Sequence, residues 1–163
     1  MKIAAIILMA TVAGSLYASD AVCMLKGIEG FRATEYRDTG GKRTIGYGFT
    51  GRRQVAKRRY TEAEASAELR SICDGIAYRL RVEMGRGNEL TAREEAAIVS
   101  FVYNVGWDKF LSSTMFRLLK GGKRGHVVAN EFGKWVYVRK NGRKVISRGL
   151  VRRREKERRM FLQ

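Results

Sequence analysis

The chain has 163 residues, 45% hydrophobic and 30% charged, which at about 150 residues per domain makes one compact domain with a sizeable core. That excludes a long disordered chain, a collagen-like repeat and a multi-span membrane protein. Lys and Arg number 33 against 16 Asp and Glu, a net charge of +17 suited to a polyanion: nucleic acid, anionic lipid or an acidic cell envelope.

Met1 to Ala21 reads as an export segment, with Lys2 ahead of the mainly apolar Ile3 to Ala18. As a helix that apolar run rises roughly 24 Å, short of a roughly 30 Å hydrocarbon core. A cleaved signal peptide, ending at Ala21 on the small residues Ser19-Asp20-Ala21, and a tether that inserts and later escapes both fit. A buried helix is a third reading. Residues 22–163 then form the folded domain. If the chain is exported, Cys23 and Cys73 either close a disulfide worth about 3 to 4 kcal/mol or remain two free thiols. Two separated cysteines and the single His126 do not make a zinc site, so no metal or other cofactor is expected.

A first helix is expected around Cys23, Met24 and Leu25, with Glu29 just past its start and Phe31 after it. Between Glu35 and Tyr60, glycines punctuate a short β-rich stretch, Thr44 to Thr50. Thr61 with Glu64 and Thr91 with Glu94 are capping boxes. Behind the first, Leu69, Ile72, Cys73, Ile76 and Leu80 predict an amphipathic helix to about Val82. Behind the second, Ala96 to Val105 is apolar nearly all round, a central buried helix ended by Gly106. Shorter helices are expected around Ser113–Lys120, Gly125–Phe132 and Gly149–Leu162, and an exposed hairpin around Asn141-Gly142. The result is an α+β chain with a small N-terminal β lobe, a larger helical lobe and a cleft between them.

Eight residues separate Glu29 from Asp38, and five separate Asp38 from Thr44. Glycosidic cleavage needs one protonated carboxyl to donate to the leaving oxygen, a carboxylate on the far side and a group that orients water. Among sixteen acidic residues this spacing alone does not separate a catalytic set from a solvated surface. The run from Arg152 to Arg159 alternates in sign and precedes Met160-Phe161-Leu162, which suits a surface helix docked by its apolar end better than a nucleic-acid arm. Trp107 and Trp135 fit either sugar stacking or core packing, and Gly46-Tyr47-Gly48 lacks the spacing of a phosphate loop.

Glu29, Asp38 and Thr44, with Tyr36 and Thr44-Ile45-Gly46-Tyr47-Gly48, resemble the catalytic region of phage-type lysozymes, glycoside hydrolase family 24. The likeness continues in Ser100 to Gly106, Phe110 and Ser113-Thr114, and in Gly149-Leu150 with Arg153-Arg154-Glu155 and Glu157. It implies a two-lobed lysozyme-like fold and a muramidase that cleaves the β-1,4 bond between N-acetylmuramic acid and N-acetylglucosamine with inversion. Glu29 would be the general acid, Asp38 the carboxylate that supports water and the developing charge, and Thr44 the water-positioning group. Tyr103, Asn104 and Ser113 match cleft-lining positions, and Arg153, between Arg152 and Arg154, would pair with Glu29. The implied partners are bacterial peptidoglycan and its anionic envelope, met by an exported monomer with transient membrane contact through its N-terminus and no nucleic acid. Phe49 departs from the His common there, and Lys42-Arg43 is more basic than usual. Cys23 lies close enough to Glu29 for its redox state to bear on the acid. The competing class is a non-enzymatic basic module that binds an acidic envelope or nucleic acid on the same fold.

Overall fold

A computed structural model of the chain describes residues 19–38, 40–140 and 142–163. Most of the export segment expected at 1–21 lies outside the described residues. Residues 19–29 are helical (α1) and bury Ala21, Val22 and Leu25. The helix stops there because Gly30 adopts φ +68° and returns its N–H to the Lys26 carbonyl at 3.2 Å. Glu29 is therefore the last residue of this helix, not a residue near its start, and Phe31 lies beyond it.

β1 (Arg32–Arg37) and β2 (Arg43–Gly46) pair antiparallel, with Tyr36 opposite Thr44 and Arg37 opposite Arg43. Two arginines face to face repel, and Glu35 relieves them by taking Arg43 through two bonds of 2.6 and 2.7 Å. The basic Arg43 is thus accounted for within the β lobe. The stretch expected as β-rich is half strand and half turn, closed by Ile45 and Phe49, which exchange backbone bonds of 3.0 and 2.8 Å. Phe49 is buried edge-on against Tyr60, so an apolar ring fills the position where the resemblance implies His. A short helix, α2 (Arg52–Ala56), follows without having been expected.

Both capping boxes form, ahead of α3 (Glu62–Met84) and α4 (Ala92–Val105). α3 serves two cores. Ala65, Leu69, Cys73 and Ala77 join Ala21, Leu25, Ile45, Tyr47 and Phe49 in the β-lobe core. Leu80 and Met84 join α4, α5 (Trp107–Leu111), α6 (Thr114–Lys120) and α7 (His126–Phe132) in the helical core. Ile76 and Met160 pack against both. Phe101 centres the second core, with Phe110, Phe132 and Trp135 edge-on around it. The hairpin forms as β3 (Tyr137–Lys140) and β4 (Arg143–Ile146); Asn141 lies outside the described residues.

The last helix, α8 (Arg148–Phe161), packs along α4. It docks through more than its apolar end: Arg153, Arg154 and Glu157 are buried together with Phe161. The expected surface helix docked by its apolar face therefore also buries part of its charged run. Opposite charges spaced three and four residues apart on one helical face satisfy one another, which makes their burial tolerable.

Candidate active site

Glu29 reaches its place because Gly30 ends α1 there, leaving the carboxyl 22% exposed at the junction of the lobes. One oxygen accepts from the Arg153 guanidinium. The other lies against Gly48, where even a Cβ would come within 3.0 Å of it. The absence of a side chain at Gly48, which sits at φ +85°, is what admits the carboxyl.

Arg153 is itself held on three sides. Its Nε donates to Glu157 at 3.1 Å, its Nη2 donates to the Ser100 carbonyl at 3.1 Å, and its remaining amino group faces Glu29. Glu157 is fully buried and also accepts from the Ser100 hydroxyl at 2.7 Å. Arg154 places a nitrogen 2.8 Å from Glu157, too far out of line for a hydrogen bond but close enough for strong attraction. Arg154 also donates to the side-chain oxygen of Asn104 and lies 4.8 Å above the Phe101 ring. Burial pulls Arg154 down to about 10, and burial likewise pushes Glu157 up against the pull of both arginines.

Across the β lobe, Asp38 follows the last residue of β1, where Oδ1 accepts the backbone N–H groups of Gly40 and Lys42, each at 2.9 Å. One carboxylate oxygen thus closes the loop and Oδ2 is left over. Thr44 is buried opposite Tyr36, and its hydroxyl donates to the Lys42 carbonyl at 2.9 Å. Burial first, then the charges of Glu29 and, more weakly, Asp38, push the Tyr36 phenol up. Tyr36 therefore shares a field with both acids.

Two cavities are walled by the residues that hold Glu29. A cleft of about 960 Å³ has Ile28, Arg153, Asn104, Ser113 and Trp135 among its walls. A second, of about 310 Å³, is bordered by Gly48, Tyr103 and Trp107. Glu29, Asp38 and Thr44 line neither cavity directly; Glu29 adjoins them through Arg153 of the first and Gly48 of the second. Asn104 and Ser113 do line the larger cleft. The Ser113 hydroxyl, however, is committed to the start of α6, donating to the Phe110 carbonyl at 2.6 Å and accepting from Phe116 at 3.0 Å. Tyr103 belongs to the smaller cavity and gives its hydroxyl to the Tyr47 carbonyl at 2.7 Å, a tie between lobes. Burial, then the charge of Glu29, push that phenol up.

Cys23 is exposed on α1, and Cys73 is buried on α3 with its thiol pushed up to about 12 by burial. Both are free in this structure. Among the described residues no group of His, Cys, Asp and Glu gathers as a metal site. Sequence reasoning missed Gly48 as the seat of Glu29 and the Arg154–Glu157–Ser100 cluster behind Arg153. The i, i+3 and i, i+4 spacing of Arg154 and Arg153 with Glu157 was the available signal for the cluster.

The sequence pattern of the family described as phage lysozyme matches residues 26–157. The endolysin of Bacillus phage B103 is 36% identical over 145 residues, covering 85% of this chain, which spans only 51% of that relative's length. The SAR-endolysin of bacteriophage PS119 is 35% identical over 133 residues, covering 81% of this chain and 75% of its own. Among solved structures, the endolysin of Escherichia coli O157:H7 phage FAHEc1 superimposes with a TM-score of 0.74 at 25% identity, over 88% of this chain and 91% of that one. The match of the family pattern to most of the chain, together with the two-lobed architecture, shows that the chain belongs to the phage lysozyme family of glycoside hydrolases.

Proposed function

We propose that this chain is a muramidase of bacterial cell lysis, hydrolysing the N-acetylmuramic acid to N-acetylglucosamine β-1,4 bond of peptidoglycan. The observation that carries the reading is the Glu29 carboxyl, held between Arg153, a wall of the larger cleft, and Gly48, a wall of the smaller cavity. Glu29 donates its proton to the leaving oxygen. Asp38, whose Oδ2 is free of the loop contacts that occupy Oδ1, supports the attacking water and the positive charge growing on the sugar. The Thr44 hydroxyl spends its proton on the Lys42 carbonyl, so its oxygen is the acceptor that orients that water. Attack by water from the face opposite the leaving group inverts the anomeric centre.

Asn104 faces the cleft with its side-chain oxygen pinned by Arg154, which aims its amide N–H groups as donors to substrate. Export is supported by the apolar segment at 1–21 and by the likeness to an SAR-endolysin. Cleavage after Ala21 would cut α1 and discard a residue that is fully buried. A tether that is released whole therefore fits this fold better than a cleaved signal. Among the described residues no helix is long and apolar enough to cross a membrane.

The test is clearing of purified peptidoglycan by wild type and Glu29→Gln. Loss of about 10²- to 10⁴-fold in rate is expected for a general acid. Equal clearing by both proteins removes Glu29 from the chemistry, and no clearing by wild type favours a non-enzymatic binding module. Analysis of the first-formed anomer separates inversion from retention. The mass of the exported protein separates a cleaved signal from an intact tether.

A further inference from the structure

Every charged residue from Lys134 to Arg154 is Lys or Arg. The middle of that stretch is the β3–β4 hairpin, whose strand residues are all exposed. Its register sorts them into rungs. Tyr137 faces Ile146 and Val138 faces Val145 near the base, while Arg139 faces Lys144 and Lys140 faces Arg143 towards the turn. Like charges directly opposite destabilise a ribbon that is marginal by itself. In the β lobe the same conflict, Arg37 against Arg43, is relieved by Glu35. Here no acid is supplied: among the described residues none of Arg139, Lys140 and Arg143 forms an ion pair.

The apolar rungs are as unusual as the charged ones. Ile146 is 61% exposed, and Val145 beside it and Val151 on α8 are also exposed. A backbone bond of 2.8 Å from Ser147 to Val136 fastens the hairpin base at the start of α8. A hydrated wall polymer does not reward exposed Val145 and Ile146. A bilayer interface rewards apolar and cationic groups together. We propose that the β3–β4 hairpin, whose Tyr137, Val138 and Lys144 also wall the large cleft, docks the folded protein on an anionic phospholipid surface, with Arg139, Lys140 and Arg143 on headgroup phosphates and Val145 and Ile146 at the acyl boundary. This proposal does not depend on the hydrolytic reading or on the N-terminal segment.

The full chain is tested against vesicles of phosphatidylcholine, vesicles of phosphatidylcholine mixed with phosphatidylglycerol, and lipid-free peptidoglycan sacculi. Wild type is compared with Arg139→Gln/Lys140→Gln/Arg143→Gln and with Val145→Thr/Ile146→Thr, so the shared N-terminus cancels. On the anionic vesicles the charge variant should bind roughly 100-fold more weakly and the apolar variant about tenfold more weakly. The apolar variant should bind and clear sacculi as wild type does, which keeps this result separate from the fate of the muramidase reading. Wild-type binding of anionic vesicles by either variant overturns the proposal. So does a charge variant that weakens equally on sacculi and vesicles while the apolar variant weakens on neither, since that assigns the hairpin to wall anions. Melting curves verify folding, and Ile146→Thr alone replaces the double variant if the latter does not fold.

Discussion

Substituting Gly48 by Ala adds one methyl group against the proposed acid. Its Cβ would stand 3.0 Å from Glu29 Oε2 and 3.4 Å from Cδ. Restoring an optimal contact of roughly 3.5 Å moves the carboxyl by about 0.5 Å, and it has no easy retreat because Arg153 holds its other oxygen. A misplacement of about 1 Å costs on the order of 10²-fold in rate, so about tenfold is expected here. The left-handed backbone at φ +85° adds a stability loss of about 1–2 kcal/mol once a Cβ is present. Gly122→Ala is the control, because Gly122 has φ +75° and nothing within 4 Å of the added atom. Both variants should lose similar stability in thermal melts, and only Gly48→Ala should lose its rate of peptidoglycan clearing. If Gly48→Ala clears within about twofold of Gly122→Ala, the carboxyl is not seated by Gly48 and the reasoning fails.

The remaining predictions concern stability and thiol chemistry. Glu157→Gln preserves shape but strips the charge from between Arg153 and Arg154, 5% and 1% exposed. Breaking a buried pair this way costs about 3–5 kcal/mol, a Tm drop on the order of 10 °C for a chain of this size. An unchanged Tm would mean that burial already keeps Glu157 protonated in the folded state. Glu64 is held down to about 2, first by the bond from Lys57 and then by Thr61. Its contribution is therefore present above the ordinary value of 4.5 and fades as pH falls towards 2. The Tm difference between wild type and Glu64→Gln should shrink across that window; a gap that stays constant contradicts the assignment. In the native reduced protein at neutral pH an aromatic disulfide reagent should titrate the exposed Cys23 and spare Cys73, whose thiol is buried and pushed up to about 12. Fast reaction of both thiols would show that α3 opens readily.

Elements with local chemical signals were legible in the sequence. α3 and α4 announce themselves through Thr61 and Thr91 with glutamates three residues on, and the hairpin through Asn-Gly between β-branched runs. α5 was not legible, since it is five residues long and its N-cap, Gly106, has no side chain to announce the start at Trp107. Nor was β1, whose Arg-Ala-Thr-Glu-Tyr-Arg sequence has no apolar alternation and is a strand because β2 and the Arg59 bridge pair with it. The resemblance brought Glu29, Asp38, Thr44 and Arg153 forward by their order along the chain. It did not convey that the Ser113 hydroxyl is spent on a helix start or that Tyr103 ties the lobes together, because hydrogen-bond partners distant in sequence leave no mark on local spacing. The burial of Arg154 and Glu157 was hidden for the same reason: a run of charges reads as solvated until the partner on α4 is known.

The long helix α3 spans 23 residues, about 34 Å of unbroken backbone, and lends one end to each core. Neither lobe can melt without stripping a flank from this common rod, so heating should give a single cooperative transition. Gly75 falls at the seam, one residue before Ile76, which packs against both cores. It leaves the rod without a side chain at that point and makes it locally easier to distort than an alanine would. The same rod is then both the thermodynamic coupler of the two cores and, at Gly75, their point of least stiffness.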